Sequence, residues 1–423
     1  MTKIIKDGIV VIPKENFVGE RDILIERGII TNIGKGILQE NAEIIDAKNR
    51  YVIPGLVDIH AHLRDPGGEE EDIASGTEAC AKGGVTSVCC MPNTNPCIDN
   101  PTIVRYVILT AQMYGKVRVY PIGAMTVGRE GETLAPYDRM KEAGIVAISD
   151  DGNWVEDPLV MKSVLESSSV YNLLPISHCE EKRLSLNGVI NEGLVSLKLG
   201  LQGISSLSET IAVARDIILA KETNSRIHIA HISTKDSVEI IKIAKDLGIK
   251  VTAEVAPHHF ILTEEEILRG KKGLKVNPPL RKKDDKVSII EGLKRDIIDV
   301  IASDHAPRKS SGEDLLNDPF GISSIEIMLP LAYTFLVKTG YLSFLDLIKK
   351  TSYNPSRLLG IEGGDLSVGK KADLVIVDTK FGETVRVDDF LSKGKNSPYD
   401  GFELFGWPVM TMVEGKIVYA RDL

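Results

Sequence analysis

Two hydrophobic periods divide the chain. Residues 3 to about 53 carry short apolar or alternating segments: Ile4-Ile5, Ile9-Val10-Val11-Ile12, Asp22-Ile23-Leu24-Ile25-Glu26 and Ile29-Ile30-Thr31-Asn32-Ile33. Turn residues such as Arg27-Gly28 separate them, so this stretch reads as a β-meander. Residues 372–378 and 409–419 have the same character. Neither end holds enough strands to bury a core alone. Residues 1–53 and 366–423 are therefore expected to pair into one small β-sandwich domain that brackets the rest.

The middle, 54–365, alternates strand-like runs with helical spacing. Strands are expected at 56–60, 86–91, 118–123, 145–149, 173–178, 226–231, 250–255 and 300–303. Helical stretches fall between them, for example at 72–82, 102–114, 158–166, 207–221, 235–247 and 286–293. Eight strands with intervening helices over this length predict an α/β fold, a (β/α)8 TIM-like barrel. The apolar residues at helical spacing, such as Val238, Ile241 and Ala244, are core positions. Residues 306–321 are polar and Gly-containing, and read as a long loop after the eighth strand.

Composition narrows the classes. The formal net charge of -9 disfavours a nucleic-acid partner. No apolar run is long enough to span a bilayer, and the N-terminus lacks the apolar stretch of a secretory leader. The five cysteines, Cys80, Cys89, Cys90, Cys97 and Cys179, are odd in number and contain no Cys-x-x-Cys pair. Neither a disulfide framework nor a thiolate zinc site is expected, and the location is expected to be cytoplasmic.

The eight histidines are more informative. A barrel places its chemistry at the C-terminal ends of its strands. Strand one ends in His60 and His62, two apart, so alternation turns both toward one metal ion. Arg64 continues that face and can fork onto a carboxylate. Strand two ends in Met91-Pro92-Asn93-Thr94, strand four in Asp150-Asp151-Gly152, strand five in His178 and strand six in His231. Strand seven is followed by His258-His259, and strand eight ends in Asp304-His305. Strand three offers nothing obvious. Any one strand-end histidine is most simply a hydrogen bonder, but four histidines and two aspartates on one rim suit zinc or a similar divalent ion. Six ligands exceed one catalytic zinc, so two ions are the better count. We expect His60, His62 and Asp304 around one ion and His178 and His231 around the other, with an aspartate between. Asp304 is then well placed as general acid/base.

These residues carry a family resemblance. Residues 54–67 (Pro54-Gly55-Leu56-Val57-Asp58-Ile59-His60-Ala61-His62-Leu63-Arg64-Asp65-Pro66-Gly67), Met91-Pro92-Asn93-Thr94, Ser149-Asp150-Asp151-Gly152, Val276-Asn277-Pro278-Pro279-Leu280-Arg281 and Ala302-Ser303-Asp304-His305-Ala306-Pro307 resemble the amidohydrolase superfamily. Within it they resemble the type I dihydroorotases, over essentially the whole chain. The resemblance implies reversible, zinc-dependent cyclisation of N-carbamoyl-L-aspartate to L-dihydroorotate, the third step of pyrimidine synthesis, with two Zn2+ per subunit. It implies that Arg64 and Asn93 hold the substrate carboxylate, that Asn277 contacts the ring and that Asp304 is the general acid/base. It points to Asp151 as the strand-four ligand, with Asp150 the second candidate, where many superfamily members carry a carboxylated lysine. Arg308 stands where the family often has a substrate-binding histidine, and an arginine can also meet a carboxylate. The implied partners are a small-molecule substrate, an aspartate transcarbamoylase complex and further copies of the chain, with neither nucleic acid nor membrane. Hydantoinases and allantoinases share the histidines but usually keep the lysine and lack the Arg64, Asn93 and Asn277 set. Non-catalytic dihydroorotase-like scaffolds have lost metal ligands that are all present here.

Overall fold

The computed structural model describes residues 2–309 and 314–421. The loop expected at 306–321 falls partly outside them, since residues 310–313 are not described. Eight parallel strands follow one another in chain order around the middle of the protein: Leu56–Ala61, Val85–Cys90, Arg118–Gly123, Ala147–Ser149, Leu174–Ser177, Ile227–Ile229, Val251–Val255 and Val300–Ile301. The ring closes between first and last strands, where the His62 amide donates to the His305 carbonyl at 2.8 Å and Ala61 bridges His305 in parallel. Val57, Ile59, Cys89, Ile122, Ala147 and Ile176 pack into an apolar plug within the ring. A larger cluster, including Val88, Ile148, Ile229, Ala253 and helix residues such as Val238 and Ile241, lies between strands and helices.

The helices between strands start where capping chemistry dictates. Asp72 caps Ile73–Lys82 by accepting from the Ser75 amide, and Thr234 caps Lys235–Asp246 through the Ser237 amide. Asn100 and Asp157 cap Pro101–Tyr114 and Pro158–Val170, each with proline in the first turn. Among the described residues, no helix is long and apolar enough to cross a membrane.

The chain ends build a second sheet. Its order is Lys416–Ala420, Glu403–Val413, Leu374–Thr384, Tyr51–Pro54, Thr2–Ile12, Phe17–Glu26, Ile29–Gly34, with Glu43–Asp46 also paired to Thr2–Ile12. Ile5, Val10, Ile23 and Val52 from its N-terminal strands meet Leu374, Ile376, Val409 and Met412 from its C-terminal strands in one core. Gly55 is the joint between sheets: its amide donates to the Asp373 carbonyl, and Leu56 begins the ring. Arg118, at the start of the third barrel strand, forks onto Asp373 at 2.5 and 3.1 Å and reaches Glu414 at 3.0 Å.

Two expected strands are shorter than their apolar runs. The sixth stops at Ile229 and the eighth at Ile301. Beyond them the backbone turns out of the ladder: His231 has φ 27 and Asp304 φ 44. The Ser303 amide donates to the side-chain carboxylate of Asp58 on the first strand, in place of a backbone carbonyl.

Candidate metal centre and active site

The ends of strands one, four, five, six and eight converge. His60, His62 and Asp151 bring ligand atoms within 4.8 Å of one another, and so do Asp151, His178 and His231. Asp151 is the shared member, with oxygens 3.4 Å from His60 Nε2, 3.6 Å from His62 Nε2, 3.3 Å from His178 Nδ1 and 3.4 Å from His231 Nε2. Asp304 Oδ1 lies 3.3 Å from His62 Nε2 and 3.6 Å from His60 Nε2. Asp150 points away. Its carboxylate accepts the Met125 and Thr126 amides and the Thr126 hydroxyl, which fixes the strand-four turn.

The far side of each ring decides which nitrogen faces the centre. The Nδ1–H of His60 donates to Glu254 at 2.5 Å, that of His62 to Asn93 Oδ1 at 2.9 Å, and the Nε2–H of His178 to Glu180 at 3.3 Å. Each bond holds the outer nitrogen and turns the other ring nitrogen inward. Glu254 also accepts from His228 Nε2 at 3.2 Å, whose Nδ1 meets Thr252. His60 Nε2 is buried without a hydrogen-bond partner. Inward ring nitrogens, shared carboxylates and an orphaned buried nitrogen fit a divalent cation, and the nitrogen and oxygen donor set suits zinc.

Burial opposes a charge on His60, but Glu254 and Asp151 overcome it and hold the ring well above its ordinary value. Burial likewise pushes Asp151 up, and His60, His178 and His231 hold it well below the usual carboxylate range. Asp304 is held low by the His62 hydrogen bond and by His60 and His231, against burial. Glu254 falls to about 2, where His60 and His228 outweigh desolvation. These carboxylates stay ionised and draw positive charge into the centre.

A cavity of about 380 Å³ opens above these groups. Arg64, Asn93, Asn277 and Arg308 all line it. Arg64 is 8% exposed, forms no ion pair among the described residues and has an unpartnered Nε. Its pKa drops to about 10 through burial and the nearby Arg308 charge. Its backbone has φ 54, and His231, Asp304 and the cavity-lining Arg129 (φ 59) also sit in the left-handed region. Asn277 Nδ2 donates to Glu180 at 3.0 Å. Arg308 donates to Glu70 at 2.7 Å and to the Phe320 carbonyl at 3.0 Å.

Several groups are absent from the sequence reading. Strand three does contribute: Arg129, from the turn after it, lines the cavity and donates to the Asp151 carbonyl at 2.7 Å. A turn arginine beside Gly128 carries no signal in the sequence. Glu254 and Asp58 do carry one, as lone acids in apolar strand runs, where an unpaired charge is costly. Glu180 sits two residues past His178, on the same alternation. His258 and His259 do not join the cluster: His258 Nε2 is 4.0 Å from Asp304, and their ring nitrogens have no hydrogen-bond partner among the described residues.

Comparison with known proteins is consistent with this geometry. A family profile described as "Dihydro-orotase-like" matches residues 49–237. A protein named dihydroorotase from Acetivibrio thermocellus is 50% identical over 421 residues, 98% of each chain. One of the same name from Caldanaerobacter subterraneus subsp. tengcongensis is 48% identical over 427 residues, 100% of this chain and 98% of the relative. Among solved structures, an L-hydantoinase (dihydropyrimidinase) from Arthrobacter aurescens matches with a TM-score of 0.89 at 25% identity, covering 100% of this chain and 97% of that one. That likeness speaks for the barrel and its companion sheet. The end-to-end identity to relatives that bear one name speaks more narrowly: this chain belongs to the dihydroorotase family.

Proposed function

We propose that the protein interconverts L-dihydroorotate and N-carbamoyl-L-aspartate, the third step of pyrimidine synthesis, as a zinc-dependent enzyme of the cytoplasm. The observation that carries this reading is the convergence of four histidines, Asp151 and Asp304 beneath a cavity walled by Arg64, Asn93 and Asn277. His60, His62 and Asp304 would hold one zinc ion and His178 and His231 a second, with Asp151 reaching both. Zinc bound there supplies a Lewis acid for the amide carbonyl and makes a water acidic enough to attack near neutral pH.

Hydrolysis adds one water across the ring amide: oxygen to the carbonyl carbon, hydrogen to the departing nitrogen. Asp304, ionised by its histidine neighbours, takes the proton that the attacking water gives up. The same carboxyl hands that proton to the ring nitrogen as the C–N bond breaks, and ring closure runs the transfer backwards. Arg64 sets its planar fork against the ring carboxylate in a buried wall, where such a bond is strengthened. Asn93 assists it, Asn277 bonds the ring, and Arg308 adds positive charge near the same carboxylate.

The test follows dihydroorotate loss and carbamoyl aspartate appearance in zinc-loaded protein. Hydantoin and allantoin serve as controls, and aspartate transcarbamoylase is present or absent. Turnover of dihydroorotate is expected, with Asp304→Asn slower by about 10²–10⁴-fold. Activity that needs the transcarbamoylase would assign the partner a role in completing the site. A metal-loaded protein that turns over only hydantoin or allantoin would overturn the reading.

A further inference from the structure

Residues 390–398 connect the strands Leu374–Thr384 and Glu403–Val413 of the terminal sheet, yet their polar groups are spent at the barrel mouth. The Leu391 and Ser392 amides donate to Glu326, and the Ser392 hydroxyl bonds Glu71. Gly394 accepts from the Ser323 hydroxyl at 2.7 Å. A Cβ on Gly394 would stand 2.3 Å from the Arg308 nitrogen, so the segment is packed against the Arg308 backbone itself.

Asn396 completes the contact. It is 6% exposed, and its side-chain amide lies between the two stems of the loop after strand eight. Oδ1 accepts the Arg308 amide at 2.6 Å and the Ser323 hydroxyl at 3.1 Å. Nδ2 donates to the Gly321 carbonyl at 2.6 Å and to the Ala306 carbonyl at 3.4 Å. The Asn396 carbonyl accepts the Ser323 amide at 2.8 Å. One planar amide thus answers donors and acceptors on both stems, which no other side chain of this size except glutamine's longer one can do. The guanidinium of Arg308 starts from the backbone that Asn396 holds, and Gly321 and Arg308 both line the substrate cavity.

We infer that Asn396 is a positioning residue: the 390–398 segment is a strap by which the C-terminal sheet fixes Arg308 and Gly321 against the substrate carboxylate. This rests on the reading of Arg308 as a substrate contact. Loss of Asn396 leaves the metal centre alone and loosens one wall of the cavity. The cost falls on substrate binding.

The experiment measures kcat and KM for dihydroorotate in the zinc-loaded wild type, Asn396→Ala, Asn396→Asp, Arg308→Ala and the Asn396→Ala/Arg308→Ala double variant. Asn396→Asp keeps volume and the Oδ1 acceptor for the Arg308 amide but turns a carboxylate oxygen toward the Gly321 and Ala306 carbonyls, so it breaks that side of the strap alone. Asn396→Ala removes all four side-chain bonds and Asn396→Asp the two that Nδ2 donates, so both variants are expected to raise KM by about tenfold or more, with kcat within about threefold. In the Arg308→Ala background, Asn396→Ala should add less than it does in the wild type, the remainder being what the Gly321 side of the strap carries. Amide hydrogen exchange without substrate should speed up in Asn396→Ala for the peptide containing Arg308, and stay unchanged at His60 to Arg64. Multiplying KM effects in the double variant, a KM unmoved by either Asn396 variant, or unchanged exchange at Arg308 would overturn the strap. A wild type inactive on dihydroorotate would overturn the functional reading instead, and the exchange measurement would still decide whether Asn396 holds the stems.

Discussion

Glu254 stands behind His60, 1% exposed, and joins that ring to His228. It touches no substrate, yet it fixes the proton on the outer nitrogen of His60 and adds negative charge behind it. Replacing it by glutamine keeps the shape and removes the charge. Glu254→Gln is expected to weaken zinc affinity by about 10–100-fold. Competition with a chromophoric chelator measures this directly, and equal affinities in the two proteins would strip Glu254 of the role. The residues that converge, His60, His62, Asp151, His178, His231 and Asp304, were legible in the sequence because each ends an apolar run at a barrel rim. Their outer partners were less so. The sequence offers Asn93 only as an expected substrate contact, whereas in the structure its Oδ1 bonds His62. Periodicity does not choose between Asp150 and Asp151; the Met125 amide and Thr126 claim Asp150 and leave Asp151 to the histidines.

At the scale of elements, the strand runs were readable because buried parallel strands are nearly all apolar. Their ends were not, since His231 and Asp304 leave the ladder through left-handed backbone that hydropathy does not register. The stretch from Ile325 to Leu359 also blurred, because wider turns at Tyr333–Val337 and Lys349–Tyr353 interrupt the ordinary helical period. Pro54-Gly55 was visible as a break in one apolar run, and the structure gives the reason for its glycine. A Cβ at Gly55 would lie 2.1 Å from Thr86 Oγ1 and 2.3 Å from its Cγ2. Thr86 is buried and its branched side chain has few alternative rotamers. Gly55→Ala is expected to destabilise the protein by about 1–3 kcal/mol. Urea unfolding would show it, and an unchanged midpoint would mean that the strands part there without cost.

Across the whole molecule, the strand-poor ends implied that they must share a core, but not the order of their strands. Asp22 anchors the N-terminal part of that sheet: it accepts the Asp7 amide at 3.0 Å, Lys6 Nζ at 3.0 Å and the Ile37 amide at 2.8 Å. Burial pushes its carboxyl up, and these donors more than offset it, leaving its pKa below the ordinary value. A depressed carboxylate stabilises the fold above the unfolded-state pKa of about 3.9 and loses that contribution as pH falls through the folded value. At pH 7, Asp22→Asn should cost about 1–3 kcal/mol. The gap should narrow as pH drops below about 4, and paired urea titrations at pH 7 and pH 3 would read it; a constant gap would remove the carboxylate from the account. The mixed parentage of this sheet also has a consequence for the newborn chain. Tyr51–Pro54 leaves the ribosome early, pairs with Thr2–Ile12 on one side, and must wait for Leu374–Thr384 on the other. At roughly 5–20 residues per second that wait is on the order of half a minute. For that interval an unpaired edge carrying Val52 and Ile53 stands open to any other chain nearby, and translation of the last strands is what retires it.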